Sequence, residues 1–374
     1  METISKQSSP SRTPSSASGT TRERSPAREQ EILNDLRQQI VRGDLAPASR
    51  MPTRRQLSFA YAASTRTVQS ALDSLAADGF VEAHGPKGTF VSQRPPHLCT
   101  YALVFTHAPD RNQFWTALHS DALRRRREQT QQIDVWHNID GHADNEDYRR
   151  LIDQVKRHRV AGLIFVGDGR PLSHTPLMNE PNVPRVAIST KEKYPNVSTV
   201  SPDNCSFRRR ALDHLAGQGC RRVAFLLPVW DRADALPLWY ADAAARGLDA
   251  RPYWTQQIPP DCPASATNIA HMLFNPLQSE RPDGFVVADD NLVEAATIGL
   301  LNAGVAVGRD VKMVVHCNFP WPTQSIIPVR RLGYSAGALM GACFSELEKQ
   351  RANGGTVATE FIPAMFEDEL EIPS

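Results

Sequence analysis

The N-terminal part of the chain repeats apolar residues at helical spacing three times. Such a spacing places the apolar side chains on one face of a helix, where they can pack into a core. Gly43 predicts the end of the first helix, Thr53 is expected to cap the second, and Ser64 or Thr65 is expected to cap the third. The three predicted helices span residues 27–42, 53–61 and 64–78.

Two short β-prone segments follow the third helix. Residues 80–83 and 89–91 contain aromatic and β-branched side chains, and the intervening His84-Gly85-Pro86-Lys87-Gly88 favours a turn. Together they predict a β-hairpin. The order helix, short helix, tight turn, helix and hairpin is that of a winged helix-turn-helix, in which one helix enters the major groove of DNA.

The segments on either side of this unit have a different composition. The first residues are rich in Ser, Pro, Thr and Arg and show no apolar periodicity, so we expect a disordered basic tail. Arg94-Pro95-Pro96 predicts a stiff, extended linker. The predicted divisions are a tail at 1–27, a DNA-binding domain at 28–92, a linker at 93–97 and a second domain at 98–374.

From residue 98 onward, short apolar runs alternate with amphipathic stretches. This alternation predicts a parallel sheet with helices on both faces. Because the segment is long for one such sheet, we expect an α/β fold of two similar lobes with a ligand cleft between them. The predicted strands are 101–105, 162–166, 185–188, 223–227, 284–288 and 311–315. The predicted helices are 114–127, 148–158, 207–218 and 291–303, with Asp290 as the expected N-cap of the last.

Composition narrows the class of protein. Hydrophobic residues make up 41% of the 374 positions. No run approaches the ~18 apolar residues of a membrane span, and the first residues lack the apolar segment of a signal peptide. The six cysteines form no Cys-x-x-Cys pair, so neither a zinc site nor a disulfide framework is expected. These patterns indicate a cytoplasmic protein that uses no membrane, metal or cofactor.

The distribution of charge points to nucleic acid more clearly than the net charge of +1. Residues 50–70 contain four arginines and no acidic residue, which predicts a local basic patch. At the start of the third helix, side chains can reach phosphates and base edges, with Arg66 suited to guanine and Gln69 to adenine. The candidate DNA-binding residues are Arg54, Arg55, Ser64, Thr65, Arg66, Thr67, Gln69, His84, Lys87 and Gly88.

Residues 32–91 resemble the GntR-type winged helix. The matching segments, in the order and spacing of that family, include Leu36-Arg37-Gln38-Gln39-Ile40, Met51-Pro52-Thr53-Arg54-Arg55-Gln56-Leu57, Ser64-Thr65-Arg66-Thr67-Val68, Gly79-Phe80-Val81 and Gly88-Thr89-Phe90-Val91. The resemblance implies that a dimer binds a two-fold related operator in double-stranded DNA. Arg54 replaces a usual acid, Thr65 a usual arginine and Ala62 a common glycine, so the operator sequence is left open.

Residues 98–374 resemble the periplasmic-binding-protein-like effector domain of LacI-type repressors. The segments that carry this resemblance include 219–225, Arg281-Pro282-Asp283-Gly284-Phe285, Ala288-Asp289-Asp290, 303–311 and Val314-Val315-His316-Cys317-Asn318. A GntR-type winged helix fused to such a domain is a known mixed class. Membership of that class implies a small-molecule effector between the lobes, usually a sugar.

The loops after the predicted strands supply carboxylates, amides and aromatic faces, which are the groups that bind polyols. In the resembling family the positions of Asp289 and Asn318 contact the effector, although this chain has Asp for the usual Asn and Asn for the usual Asp. Leu236 falls near the position of the family's effector-binding arginine, which leaves Arg232 as a candidate substitute. The candidate effector-binding residues are Trp115, Asp168, Arg232, Asp289, Asn318 and Trp321.

Two other classes of protein compete with an effector-controlled regulator. An enzyme is the first, but the sequence has no phosphate-binding glycine loop and no His-Glu-x-x-His motif. The second is a DNA-binding regulator whose second domain only dimerises or has lost its ligand. The sequence favours a non-enzymatic, homodimeric repressor whose operator affinity depends on a small, sugar-like effector.

Overall fold

The structure is a computed structural model, and the chain divides into two compact units between Leu98 and Cys99. Among the described residues, no helix has both the length and the apolar character needed to cross a membrane. The described residues are 24–108, 112–129, 131–167, 169–189, 196–229, 235–259, 261–320, 323–353 and 357–370. Most of the expected N-terminal tail therefore lies outside them.

The first unit has the element order that its sequence predicts. Its elements are α1 (Arg24–Arg42), α2 (Arg54–Ala60), α3 (Thr65–Ala77), β1 (Val81–Ala83) and β2 (Thr89–Val91). The two strands pair antiparallel with Val81 opposite Val91, and a 3-10 turn at Gly85–Lys87 joins them. The predicted winged helix-turn-helix is confirmed. Helix α1 begins at Arg24 rather than at residue 27, so the last residues of the expected tail are helical.

Side-chain caps determine where α2 and α3 begin. Thr53 Oγ1 accepts a hydrogen bond from the backbone N–H of Gln56, and Gln56 Oε1 accepts one from the backbone N–H of Thr53. This reciprocal pair is a capping box. At α3, Ser64 rather than Thr65 is the cap, because Ser64 Oγ accepts from the backbone N–H of Thr67 at 3.1 Å. Each cap stabilises its helix by about 1 kcal/mol.

The apolar stripes of α1 and α3 form the core of the first unit. Ile32 of α1 and Val68 and Leu75 of α3 are fully buried. Phe80, which the sequence assigns to the first strand, precedes β1 and is also fully buried. Burial of each such side chain contributes roughly 1.5–3 kcal/mol, so this core stabilises the placement of α3 and the hairpin.

A buried ion pair joins α1 to the end of α3. Arg37 donates to Asp78 at 2.7 Å, and the two side chains are 5% and 9% exposed. The Arg37 guanidinium also lies 5.7 Å from the centre of the Phe80 ring. Because both charges have lost water on folding, each depends on the other for its compensation.

The predicted extended linker is partly folded. Pro96–Cys99 form a short helix, α4, and the His97 ring stacks on Phe80 with 5.7 Å between ring centres. Pro96 lies against Gly79, whose missing Cβ would be 3.3 Å from the proline ring. The stereochemistry of the Pro-Pro sequence favours an extended chain. Here the segment folds into a helical turn instead, because Pro96 and His97 then pack against Gly79 and Phe80.

The strands of the second unit form two six-stranded sheets. They are β3 (Thr100–Phe105), β4 (Gln132–Trp136), β5 (Gly162–Val166), β6 (Arg185–Ile188), β7 (Ser198–Asp203), β8 (Val223–Pro228), β9 (Thr255–Ile258), β10 (Gly284–Val287), β11 (Lys312–Phe319), β12 (Arg330–Ser335), β13 (Thr359–Pro363) and β14 (Met365–Phe366). The first sheet has the order β13-β7-β6-β5-β3-β4 and is parallel. The second has the order β14-β12-β11-β10-β8-β9 and is parallel except at β14.

Helices connect these strands and cover the sheets. They are α5 (Gln113–Arg127), α6 (Glu146–Lys156), α7 (Pro176–Asn179), α8 (Asn204–Gly217), α9 (Ala235–Ala244), α10 (Pro263–Phe274), α11 (Val293–Asn302) and α12 (Ala336–Asn353). The chain passes from the first sheet to the second after β7, returns after β12 and passes again after β13. Each sheet with its helices is one lobe, so the predicted two-lobed α/β fold is confirmed.

The carboxyl ends of the parallel strands position the candidate ligand cleft. Loops at these ends lie outside the sheet, where open α/β folds bind their ligands. In the second lobe, β11 extends beyond the predicted strand 311–315 as far as Phe319, which brings Asn318 into the end of the strand beside the loop after β10.

Candidate nucleic-acid interface and ligand cleft

The first turn of α3 and the start of α2 present polar side chains on the surface of the first unit. Arg54, Arg55, Ser64, Thr65 and Arg66 are exposed, and Thr67 and Gln69 are half-buried. Ser64 and Thr67 bond each other through their hydroxyl oxygens at 2.8 Å. Exposed hydroxyl and guanidinium groups at the start of a helix are the kind of side chain that contacts DNA phosphates and bases.

One member of this set already has two partners within the protein. Gln69 Oε1 accepts from Arg54 Nη1 at 3.0 Å, and Gln69 Nε2 donates to Asp73 Oδ1 at 2.7 Å. Arg54 is thereby drawn towards α3. A bidentate contact of Gln69 with adenine requires both of these bonds to be exchanged, whereas Arg66 makes no ion pair among the described residues.

The hairpin carries a second group of candidates. His84 and Lys87 are exposed, and His84 lies 3.5 Å from Glu82 and packs edge-on against Phe90 at 5.2 Å between ring centres. Gly88 has a φ of +104°, a conformation that side-chain-bearing residues rarely adopt. The hairpin tip is therefore shaped by its glycine and offers one fixed positive charge, that of Lys87.

Arg50 is a candidate DNA-binding residue that the sequence-based selection of individual residues left out. It is exposed, its backbone bridges to Phe90, and its guanidinium lies under Gly88, 3.2 Å from the position that a Cβ would take there. A side chain at position 88 would therefore displace Arg50. The sequence signal was its place in the acid-free, arginine-containing segment 50–70.

A buried polar cluster lies at the carboxyl ends of β10 and β11 in the second unit. Asp289, Asp290 and Asn318 are 5%, 8% and 1% exposed. Asp290 Oδ2 accepts from Asn318 Nδ2 at 2.7 Å, and His316 Nδ1 lies 3.7 Å from Asp290 Oδ1. The His316 ring packs against Tyr334 at 5.5 Å between ring centres. The structure thus brings the predicted pair Asp289 and Asn318 into one cluster and adds Asp290 and His316 to it.

Asp289, and not Asp290, caps the 3-10 turn Asp290–Leu292 that leads into α11. Asp289 Oδ1 accepts from the backbone N–H of Asn291 at 2.9 Å and from Asn291 Nδ2 at 2.7 Å. The expectation for Asp290 was wrong because the helix opens with a 3-10 turn at Asp290–Leu292, one residue earlier than predicted. Burial, followed by the nearby Asp290 charge, raises the pKa of Asp289 to about 6.

Only one of the two polar atoms of the Asn318 amide has a hydrogen-bond partner among the described residues. Nδ2 donates to Asp290, but Oδ1 has no hydrogen-bond partner among the described residues, although the side chain is almost fully buried. His316 Nδ1 is likewise without a hydrogen bond there. Buried polar groups are normally bonded to protein or to ordered water, so Oδ1 of Asn318 has the capacity to accept a further hydrogen bond.

A hydrogen bond joins the two lobes beside this cluster. Asn291 Oδ1 accepts from the backbone N–H of Gln113, the first residue of α5, at 3.1 Å. Asp289 accepts a hydrogen bond from Nδ2 of the same Asn291 amide. A change at Asp289 can therefore reorient the Asn291 side chain and alter its bond to the first lobe.

Trp115 is the candidate that the structure describes on the first lobe. Its ring packs across Gly167, where a Cβ would meet Thr106 Oγ1 at 2.5 Å and the indole at 3.1 Å. The indole also lies 5.8 Å from the Phe105 ring, measured between ring centres. Trp115 therefore stands at the carboxyl ends of β3 and β5, at the edge where the loops of this lobe are found.

Three other candidates, Asp168, Arg232 and Trp321, lie outside the described residues. Leu236, near the position of the resembling family's arginine, is partly buried and packs against the apolar core. It cannot donate a hydrogen bond to a ligand.

Comparisons with known families match both parts of the chain. Residues 28–91 match the bacterial regulatory proteins of the gntR family, and residues 212–362 match the periplasmic binding protein-like domain. The chain therefore joins a gntR-family helix-turn-helix domain to a periplasmic-binding-protein-like domain.

Individual relatives and solved structures match most of the chain. The chain is 23% identical over 310 residues to the arabinose metabolism transcriptional repressor of Geobacillus stearothermophilus, covering 79% of this chain and 82% of that protein. It is similar in fold to a structure named transcriptional regulator CelR-cellobiose complex, with a TM-score of 0.54, 16% identity, and coverage of 84% of this chain and 98% of that one. A LacI family regulator from Lactobacillus casei with bound glucose gives a TM-score of 0.53 at 19% identity, covering 72% and 98%. These proteins are named as regulators of transcription, not as enzymes.

Proposed function

We propose that this protein represses transcription by binding an operator in double-stranded DNA, and that a small effector bound between the lobes of its second domain changes that binding. The observation that carries the DNA-binding part is the exposed, acid-free surface formed by the start of α2 and the first turn of α3. The match of residues 28–91 to the gntR family supports the same role.

The assignment of an effector rests on the buried cluster in the second lobe. Asp289, Asp290 and Asn318 offer hydrogen-bond acceptors at the carboxyl ends of β10 and β11, and Trp115 offers an aromatic face at the corresponding ends in the first lobe. Hydroxyl-bearing, sugar-like ligands fit such a set. Similar structures named with cellobiose and glucose support that class, and the relative named as an arabinose metabolism repressor supports negative control.

The mechanism we propose is a change of lobe angle. Two copies pair and set the distance between two winged helices, which then match two half-sites of a two-fold related operator. An effector bound beside Asp289 alters the contact between Asn291 and Gln113, and with it the angle between the lobes. Because the two binding events are linked, effector and operator must change each other's affinity by the same factor. The protein acts where the chromosome is, in the cytoplasm.

Selection of bound duplexes from a random DNA pool by the full-length protein, at stated salt concentrations, tests the DNA-binding part. We expect a two-fold symmetric motif, and loss of that motif with Arg66→Ala but not with the matched surface change Arg42→Ala at the end of α1. Absence of enrichment both with and without a metabolite extract would contradict sequence-specific binding.

A second domain that only dimerises is the alternative, and Leu236 in place of an arginine is the observation that favours it. A thermal-shift screen with sugars and related metabolites separates the two, because a ligand of the folded state raises the melting temperature. A shift that Asn318→Ala abolishes supports an effector site. No shift with any compound, together with intact operator binding, supports the dimerisation role.

A further inference from the structure

We propose that the effector carries a protonated amine, which the carboxylates of Asp289 and Asp290 and the Oδ1 atom of Asn318 receive. This inference rests on the proposed role of the same cleft. It goes further because it commits to the charge of the ligand.

The negative charge of the cluster is not balanced by the basic groups of the described residues. Asp289 and Asp290 are adjacent carboxyl groups, 5% and 8% exposed. Removing a carboxylate from water is unfavourable unless a partner of opposite charge compensates it. Among the described residues, His316 is the one basic side chain within ion-pair distance of these two carboxyl groups, with its Nδ1 atom 3.7 Å from Asp290 Oδ1. Asp289 makes its bonds to the neutral amide groups of Asn291. At least one counter-charge is therefore left for a ligand to supply.

The groups of the cluster that remain open are acceptors of hydrogen bonds. The Asn318 amide donates to Asp290, which leaves the acceptor Oδ1 open and buried. Two carboxyl groups and one amide oxygen together form a set of acceptors. An alkylammonium group has three donors and no acceptor, so it can satisfy such a set without presenting a lone pair to it. A hydroxyl has one donor and two lone pairs, and it brings no charge.

The open Asn318 oxygen is the observation that separates this cluster from an ordinary pair of surface acids. Exposed carboxylates are compensated by water and need no ligand. Here the amide is almost fully buried beside the acids, so its open oxygen must find its partner within the site and not in bulk water.

Matched ligand pairs that differ by an amine in place of a hydroxyl test the proposal on the full-length protein at neutral pH. The probes are glucosamine against glucose, galactosamine against galactose, and putrescine against 1,4-butanediol, each measured by thermal shift and by calorimetric titration. We expect at least one amine to bind, and to bind roughly tenfold or more tightly than its hydroxyl partner. We expect Asp290→Asn to lose that preference by a similar factor.

Two further variants keep the result interpretable. Asp289→Asn removes one charge but keeps the cap of the 3-10 turn at Asp290–Leu292, so we expect this variant to fold. Glu348→Gln changes an exposed carboxyl on α12 and is expected to leave the preference intact. Circular dichroism of each variant verifies folding.

The outcomes separate this inference from the proposed function. If hydroxyl compounds bind and their amine partners do not, an effector site exists but its ligand is neutral, and the inference is overturned. If no amine binds, it is overturned as well. Unchanged amine affinity in both aspartate variants also overturns it. Loss of operator selection would contradict the proposed function itself, whichever ligand binds.

Discussion

The backbone N–H of Gln113 donates a 3.1 Å hydrogen bond to Oδ1 of Asn291, which stands 178 positions later in the chain. Gln113 begins α5 of the first lobe, and Asn291 lies in the turn that follows β10 of the second. Asp289 accepts from both nitrogens of Asn291 and so orients its amide. The buried carboxyl cluster is thus connected to the lobe contact through one side chain.

Asn291→Ala should loosen this contact. The variant removes the acceptor for the Gln113 N–H, and we expect a loss of about 1 kcal/mol in stability together with faster amide hydrogen exchange in the first turn of α5. Hydrogen-exchange mass spectrometry of peptides covering 112–120 measures it. Gln113→Ala is the control, because the bond uses the backbone N–H and survives that change. Equal exchange rates in the two variants would show that the bond does not hold the lobes.

Asp78→Ala should destabilise the first unit strongly. It leaves the Arg37 guanidinium buried without its carboxylate, and breaking a buried pair in this way costs about 3–5 kcal/mol. Denaturant unfolding of the full chain, followed by hydrogen exchange in α1 and α3, measures the effect where it occurs. Asp44→Ala removes an exposed acid from the same unit and should change stability by less than about 0.5 kcal/mol. Similar losses in both variants would contradict the role of the pair.

The sequence predicted the buried strands better than the strands at the edges of the sheets. Apolar runs identified β3, β5, β6, β8, β10 and β11, which lie inside the sheets. Two further interior strands, β7 and β12, were missed, because each contains several polar residues. The edge strands β4, β9, β13 and β14 were not predicted, because an edge strand is partly exposed and its side chains need not form an apolar run. The helical spacing of apolar residues predicted the helices of the first unit to within a few residues, because these helices are amphipathic and α2 and α3 begin at capping residues.

Within the candidate site, residue types were predictable but their partners were not. The sequence predicted Asp290 as a cap, but Asp289 takes that role because the 3-10 turn begins at Asp290. The bond between Asp290 and Asn318 depends on the register of β10 against β11, which no local pattern specifies. The same holds for Arg50 under Gly88, because strand pairing brings them together.

Arg66→Ala should reduce discrimination between operators. If Arg66 reads a guanine, its loss weakens specific binding by about 1–3 kcal/mol and relaxes the preference at one base pair. Arg55→Ala is the comparison: a phosphate contact should weaken binding to all sequences alike and reduce the dependence on salt. Fluorescence anisotropy with the selected operator and single-base variants measures both. An equal loss on matched and mismatched duplexes with Arg66→Ala would remove its assignment as a base-reading residue.

Gly167→Ala should displace Trp115. The added Cβ would lie 2.5 Å from Thr106 Oγ1 and 3.1 Å from the indole, and the φ of +108° is itself unfavourable for alanine. We expect a loss of about 1–3 kcal/mol in unfolding free energy, measured by denaturant titration. Gly217→Ala is the control, because a Cβ at that helical position meets open space and alanine favours the helix. Equal stability of the two variants would mean that the packing of Trp115 tolerates the methyl group.

Asp289→Asn should stabilise the protein at alkaline pH and not at acid pH. The pKa of Asp289 is raised from 3.8 to about 6 by burial and by Asp290, while His316 opposes the shift. The folded state therefore keeps the proton more tightly than the unfolded chain, and this carboxyl lowers stability as the pH rises from about 4 to about 6. Two pKa units correspond to at most roughly 3 kcal/mol above that window.

Asparagine stays neutral and can still accept from Asn291, so the substitution removes the charge while it keeps the cap. Denaturant unfolding of both proteins at pH 4 and pH 8 measures the difference, and comparison within each pH cancels the other titrating groups. We expect the free energy of unfolding of the variant, relative to that of the natural protein, to be higher at pH 8 than at pH 4. A difference that is the same at pH 4 and pH 8 would mean that Asp289 titrates alike in the folded and unfolded chains, so that its burial imposes no charge penalty.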